Sequence, residues 1–346
     1  MQMFKWIKDH VFLAIDWIFP RRMADYLRIV RMAAMNPCSI HVGIPESFAA
    51  ALAGESGPRL GADLRRGLDA ESLQLVETLL ARVAFFPTRT DGYVFLVYAN
   101  TVLTEQERRD LARWPDVRRE CQRQFRYPRK LFSTESFFYH HGMDDLPQAC
   151  PDYVSGKDFI DLGAFIGDST LILNQYHPRK IYAFDASPAN ARRFWRTMRL
   201  NGVDPARVEL VLAGVSDAPG KMCFQDTGQG DTALTVTGGT EIEITTVDAF
   251  TAGKNLSIGV IKMDIEGMGL KAVHGMAQTL RTHRPVLLLA VYHNADEFFG
   301  IKPFIESLNL NYAFMLRKLS PSHLFTETTL LVYPAELAGK KTDADV

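Results

Sequence analysis

The strongest constraint on this chain is an alternation of element types. From Lys157 to Pro334, short apolar and β-branched runs take turns with segments of helical spacing. Strands are expected at 159–162, 180–184, 207–212, 258–263, 286–292, 312–317 and 328–333, with helices at 168–176, 188–200, 270–281 and 302–308. Buried strands separated by helices predict a parallel sheet covered on both faces. The order predicts an α/β fold: a seven-stranded, mostly parallel, doubly wound sheet whose last two strands supply an antiparallel edge. An inserted hairpin is expected from 222–224 and 242–246. It encloses the Gly- and Thr-rich loop Asp226–Thr240, which reads as a lid or as a surface turn.

Upstream, the pattern is mainly helical. The spacing predicts a helix over 69–83, and Thr104-x-x-Glu107 is a capping-box pattern that opens another. Asp91-Gly92 marks a turn before an expected strand at 93–98. The chain therefore divides into a mainly helical unit, 1–150, for substrate recognition or oligomerisation, and an α/β unit, 151–346, with the boundary between Pro147 and Gly156. Residues 4–19 read as an amphipathic helix ended by Pro20, which packs on the protein's own core or on a second copy in a homo-oligomer. Peripheral membrane contact through 4–22, helped by Arg21 and Arg22, is the other reading. No run of about 20 apolar residues is present to form a membrane-crossing helix.

Composition narrows the partners. The formal net charge is −1, which excludes a global attraction to nucleic acid or to an anionic membrane. Recognition of an anion must be local. The one basic stretch runs through Arg113, Arg118, Arg119, Arg123, Arg126, Arg129 and Lys130. It reads as a solvated helix face or as a site for a phosphorylated or carboxylated substrate. Cys38, Cys121, Cys150 and Cys223 lack CxxC spacing, so neither a zinc ribbon nor a redox pair is expected, and a reducing cytoplasmic setting is the simplest reading.

In an open α/β sheet, ligands bind beyond the carboxyl ends of the strands. The first strand runs into Asp161-Leu-Gly163-Ala-Phe-Ile-Gly167-Asp168-Ser169-Thr170. The glycines permit a sharp turn and close approach to a ligand, and the following helix start presents free N–H donors. The spacing matches neither a P-loop nor GxGxxG. A carboxylate here suits the ammonium and sulfonium of S-adenosylmethionine better than a dinucleotide pyrophosphate, which counts against a dehydrogenase. Asp185 ends the second strand, placed to accept from both ribose hydroxyls of an adenosyl ligand. Ser216-Asp217 follows the third strand, where Asp217 is placed to accept from an adenine amino group. Asp264 and Glu266 end the fourth, a pair suited to a metal, to the methionine ammonium, or to a substrate hydroxyl as general base. His293 ends the fifth and is the other candidate base.

The succession DLGAFIGDST, YAFDASP, GVSD, KMDIEG and RPVLLLAVYH, in this order over 157–334, resembles FkbM-family S-adenosylmethionine-dependent methyltransferases. Tyr139-His140-His141-Gly142 is similar to members with an N-terminal extension. The resemblance implies a class I, Rossmann-like methyltransferase fold and O-methylation of a hydroxyl on a sugar, glycan or natural product. It places Asp161, Gly163, Gly167, Asp168, Asp185, Ser216 and Asp217 at the cofactor, and Asp264 and Glu266 beside the reacting centre. A divalent cation such as Mg on that pair is a further expectation. Where the family often continues EGxE, this chain has Gly269, so the later acid is lost. N- or O-methylation of a peptide, lipid or protein is the alternative within enzymes, and a cofactor-binding scaffold without chemistry is the alternative outside them.

Overall fold

Seven strands form one sheet: β1 (Asp158–Leu162), β2 (Lys180–Phe184), β3 (Val208–Val211), β4 (Ile258–Met263), β5 (Val286–Ala290), β6 (Tyr312–Lys318) and β7 (Thr328–Pro334). They belong to a computed structural model, which describes residues 39–41, 43–85, 94–96, 103–224, 234–235 and 240–339. The expected amphipathic helix at 4–19 and most of the Asp226–Thr240 loop lie outside these residues.

The spatial order is β6-β7-β5-β4-β1-β2-β3. All neighbouring pairs from β5 to β3 are parallel, and β7 runs antiparallel to both β5 and β6. This is the expected doubly wound sheet with its antiparallel edge. Its order reverses between β1 and β4, because the chain builds outward from β1 through β3 and then returns to start β4 on the other side. The two loops that part there leave a crevice.

Nine helices matter below: α1 (Gly43–Ala53), α2 (Gly57–Arg65), α3 (Ala70–Phe85), α4 (Glu105–Gln124), α5 (Asp168–Leu173), α6 (Pro188–Leu200), α7 (Gly269–His274), α8 (Ala277–His283) and α9 (Ala295–Ser307). Local chemistry sets their starts. Thr104 and Glu107 form the reciprocal capping box of α4. Ser187 caps α6, with Pro188 in its first turn. Asn294 caps α9 by accepting from the Glu297 N–H at 2.9 Å.

The single helix expected at 270–281 is two helices, α7 and α8, with Gly275 between them. A side chain at 275 would overlap the Ser216 carbonyl, so the position between the two helices has room only for glycine. The inserted hairpin is part of a small sheet in which Thr240–Thr245 pairs with Gly220–Phe224 and, in parallel, with Gly214–Val215.

The residues ahead of β1 share the core of the sheet. Phe48 of α1, Leu64 of α2 and Val76 and Leu79 of α3 belong to one cluster with Leu287, Leu289, Phe298, Leu316 and Val332. Phe48 stacks on Phe298 at 4.4 Å between ring centroids. On the opposite face Met143, Leu146, Cys150 and Val154 pack with Phe159, Val260, Leu288 and Leu331. The described N-terminal residues therefore wrap both faces of the sheet instead of building a separate core. No helix among the described residues is long and apolar enough to cross a membrane.

Candidate functional site

The β1 and β4 loops meet at the reversal of strand order. Gly163 has φ +83°, and a Cβ on it would overlap the carbonyl oxygen of Asp264. Only glycine fits both the left-handed backbone and the close approach. Lys262 of β4 ties the loops together by donating from Nζ to the Gly163 carbonyl at 2.9 Å. Gly163→Ala is therefore expected to cost about 3 kcal/mol or more of stability, combining left-handed strain with a backbone clash, as a fall in the denaturant midpoint would show.

A cleft opens beside this junction. Gly163, Phe165, Asp185, Ala186, Asn190, Ala213, Gly214, Val215, Asp264, Ile265, Glu266 and Met268 are among the residues that line it. Phe165 and Glu266, on its two sides, hold φ values of +46° and +52°. Non-glycine residues in this region store strain, which concentrates at ligand sites. Asp185 accepts from the Ser187 N–H at 2.8 Å and from Asn190 Nδ2 at 3.2 Å. Burial pushes its carboxyl up to about 6, against the lowering effect of those donors. A carboxylate so deprived of water gains from two further hydroxyl donors.

Behind the cleft lies a buried charged cluster. His293 Nδ1 is 2.8 Å from Glu297 Oε2, while its Nε2 lies 3.1 Å from Asp264 Oδ1 and 3.6 Å from Glu266 Oε2. The Nε2 contacts are off the line of a hydrogen bond, so attraction between charges holds them. Burial opposes charge on His293, but Asp264 and Glu297 outweigh it and hold the imidazole well above its usual value. Asp264 is moved the other way: burial would raise it, yet His293 and Lys262 bring it down to about 2. Both shifts favour the proton on His293 over Asp264.

Glu297 has no counterpart among the expected site residues. It is 1% exposed, and its Oε1 accepts from the Gly269 N–H at 2.6 Å. A Cβ at 269 would stand 2.7 Å from that oxygen, so Glu297 fills the space that a side chain at 269 would need. The spacing His293-x-x-x-Glu297 at the start of α9 is the signal that could have found it. Glu297→Gln is expected to bring the His293 titration, followed by imidazole NMR, down into the neutral range. Turnover should fall by about tenfold with cofactor affinity retained.

Other strand-end groups converge from afar. Glu135, Asp264 and Glu327 have carboxylate oxygens within 4.8 Å of one another, and Glu135 Oε1 is 2.8 Å from His141 Nδ1. Burial and the neighbouring Glu135 and Asp264 push Glu327 well above the carboxylate range. No local sequence signal joins Glu135 to Glu327.

Several expected cofactor residues do not line the cleft. Asp161 is fully buried beneath the loop, where Oδ2 accepts from Ser169 Oγ at 2.7 Å and Thr170 Oγ1 at 2.6 Å, and Lys262 stands 3.4 Å away. It braces the turn instead of facing a ligand ammonium. Gly167, at φ +95°, starts α5, and Asp168 accepts from Ser136 Oγ at 2.8 Å, away from the cleft. Ser216 pairs through its N–H with Thr245, and Asp217 is exposed and bonded to Ser216. The pairing of 214–215 with the small sheet turns the chain away there, so the wall is made by Ala213–Val215. His293, expected as a base, lies behind Asp264 and holds a proton.

Asp264, Glu266 and His293 also present ligand atoms within 4.8 Å of one another. A cation bound by this set would displace the proton that Asp264 and Glu297 favour on His293. The imidazolium supplies positive charge at the same position.

Residues 161–328 match the family Methyltransferase FkbM domain. No curated protein matches the chain. Among solved structures, a methyltransferase FkbM from Methylobacillus flagellatus shares the fold at 17% identity and a TM-score of 0.53, over 80% of this chain and 59% of that chain. This chain thus spans well under two thirds of that protein. An rRNA methylase from Streptococcus thermophilus aligns at 13% identity and a TM-score of 0.37, over 54% of this chain and 92% of that chain. A Streptococcus mutans structure in complex with SAH aligns at 14% identity and 0.35, over 53% and 93%.

Proposed function

Because residues 161–328 carry a methyltransferase FkbM domain, we propose that the chain methylates a hydroxyl of a sugar, glycan or natural product using S-adenosylmethionine. The observation that carries this reading is the cleft itself. One end offers the Asp185 carboxylate between the apolar walls Phe165 and Val215, and the other ends on Asp264 and Glu266. Asp185 is placed for ribose hydroxyls, and the small residues Ala213 and Gly214 leave room for a flat base. Bound there, S-adenosylmethionine would supply an electrophilic methyl group.

The protein's part is to orient the acceptor and take its proton. A hydroxyl oxygen that gains a methyl group becomes an oxonium, far more acidic than any carboxylic acid. The low pKa of Asp264 therefore does not disqualify it, and it is the member of the Asp264–His293 pair that reaches the cleft. His293 stabilises the Asp264 carboxylate, and Glu297 fixes the imidazole from the other side.

Calorimetry with S-adenosylmethionine, followed by transfer of a labelled methyl group to candidate hydroxylated acceptors, tests the proposal. Binding without transfer to hydroxyl acceptors would overturn the O-methylation reading, binding without transfer to any acceptor would favour a cofactor-binding scaffold, and no binding would remove every one of these readings. EDTA is expected to leave transfer unchanged within about twofold, whereas a tenfold or larger loss restored by Mg2+ would show that a cation displaces the His293 proton.

A further inference from the structure

The basic stretch expected from the sequence divides in two. On α4, Arg109 pairs with Glu105 at 2.7 Å, Arg119 with Asp116, and Arg113 approaches Asp110 at 3.9 Å. That is a solvated helix face with its own counter-charges. Beyond α4 the situation changes. Asn201, at the end of α6, accepts from the Arg126 N–H at 2.8 Å and donates to the Arg126 carbonyl at 3.0 Å. This clamp brings Arg126 beside an arginine-rich helix 66 residues further along that the charge-run reading did not include.

The exposed residues of α6 after its first turn are Arg192, Arg193, Trp195, Arg196, Arg199 and Leu200. The helix contains no acid. Arg192, Arg196 and Arg199 stand at i, i+4 and i+7, hence on one face, and they, like Arg126, make no ion pair with a carboxylate among the described residues. Ala189, Arg192, Arg193 and Arg196 line a shallow surface depression. Two of the four exposed large apolar side chains of the described residues are on this helix as well, Trp195 at 37% and Leu200 at 51%.

We propose that the exposed face of α6, together with Arg126, docks the protein on an anionic lipid bilayer. Arginines at this spacing match a plane of phosphate headgroups, and their long stems let the guanidinium reach the headgroups while apolar neighbours go deeper. Tryptophan takes the interfacial level, and a leucine gains from entering the acyl boundary. A nucleic acid would use the arginines and could stack on Trp195, but it would leave Leu200 in water. A single small anion would engage the arginines of that depression but would leave Arg199, Arg126, Trp195 and Leu200 unused. The proposal does not depend on the methyl-transfer reading.

Co-sedimentation of the full chain with vesicles tests it. The protein is expected to pellet with a one-to-one mixture of phosphatidylcholine and phosphatidylglycerol, but not with phosphatidylcholine alone, and to be released by high salt. The triple substitution Arg192→Glu, Arg196→Glu, Arg199→Glu should lower partitioning by about a hundredfold or more, at roughly five- to tenfold per basic residue, with the thermal midpoint unchanged. Should that variant fold poorly, Trp195→Phe gives a second readout: the chain has four tryptophans, and the blue shift of their summed emission on anionic vesicles should shrink by the share that Trp195 contributes. Failure of the wild type to bind, undiminished binding by the folded triple variant, or an unchanged blue shift in Trp195→Phe would overturn the proposal. So would a mixed-sequence RNA duplex that binds the wild type more tightly than the vesicles do and displaces it from them.

Discussion

Exchange of Asp264 for alanine is expected to lower methyl-transfer turnover by about 10²- to 10⁴-fold, the usual worth of a positioned proton acceptor. Asp264 lies 3.1 Å from His293 Nε2, and both His293 and Lys262 lower the pKa of its carboxyl. Its loss removes the proton acceptor and the main counter-charge of His293 together. S-adenosylmethionine affinity should change by less than about tenfold, because at most one contact to the ligand is lost. Single-turnover measurements at saturating cofactor separate the two effects. Turnover within a few-fold of wild type would remove Asp264 from the chemistry, and loss of cofactor binding would reassign it to the ligand.

Exchange of Asp185 for asparagine should do the reverse. Affinity for S-adenosylmethionine is expected to fall by at least about a hundredfold, because two hydrogen bonds from ribose hydroxyls to a charged acceptor are weakened at once. Stability should rise. The Asp185 carboxyl stands at about 6 in the folded protein against 3.8 for an ordinary aspartate, with burial as the main cause. Its folded value lies above its unfolded one, so its stabilising contribution is complete below pH 3.8 and is lost as pH rises through about 6. At neutral pH the buried charge then costs about 1–3 kcal/mol, which an uncharged amide avoids. The same shift gives the wild type a signature in binding. The hydroxyls need the ionised acceptor, so affinity measured calorimetrically should drop as pH falls through about 6 and stay flat in the asparagine variant. A wild-type affinity independent of pH in this window would argue that Asp185 does not face the ligand.

Much of the fold is legible in the sequence because its determinants are local. The strands of the main sheet announce themselves as apolar runs, and Thr104, Ser187 and Asn294 carry the chemistry that starts α4, α6 and α9. The need for glycine at 275, between α7 and α8, is not legible, since it answers to Ser216, far away in the chain. The site divides the same way. Asp185, Asp264 and Glu266 follow strands at the ligand edge, and the cleft gathers them. Asp161 follows the same rule in sequence yet lies beneath the loop, because Ser169 and Thr170 of α5 turn back onto it. Position after a strand fixes the rim, but not the direction in which a side chain points.

The sequence by itself determined the succession of elements, the glycine at 163 and the acids at the strand ends, since periodicity, turn conformation and capping act over a few residues. Only the tertiary structure decided which charges meet. Strand order brings Gly163 against Asp264, lays Glu135 against Glu327, seats Glu297 where a side chain at 269 would stand, and sets Arg126 beside the arginines of α6. These pairings join residues distant along the chain, and Coulomb attraction and burial depend on separation in space, which no local pattern encodes.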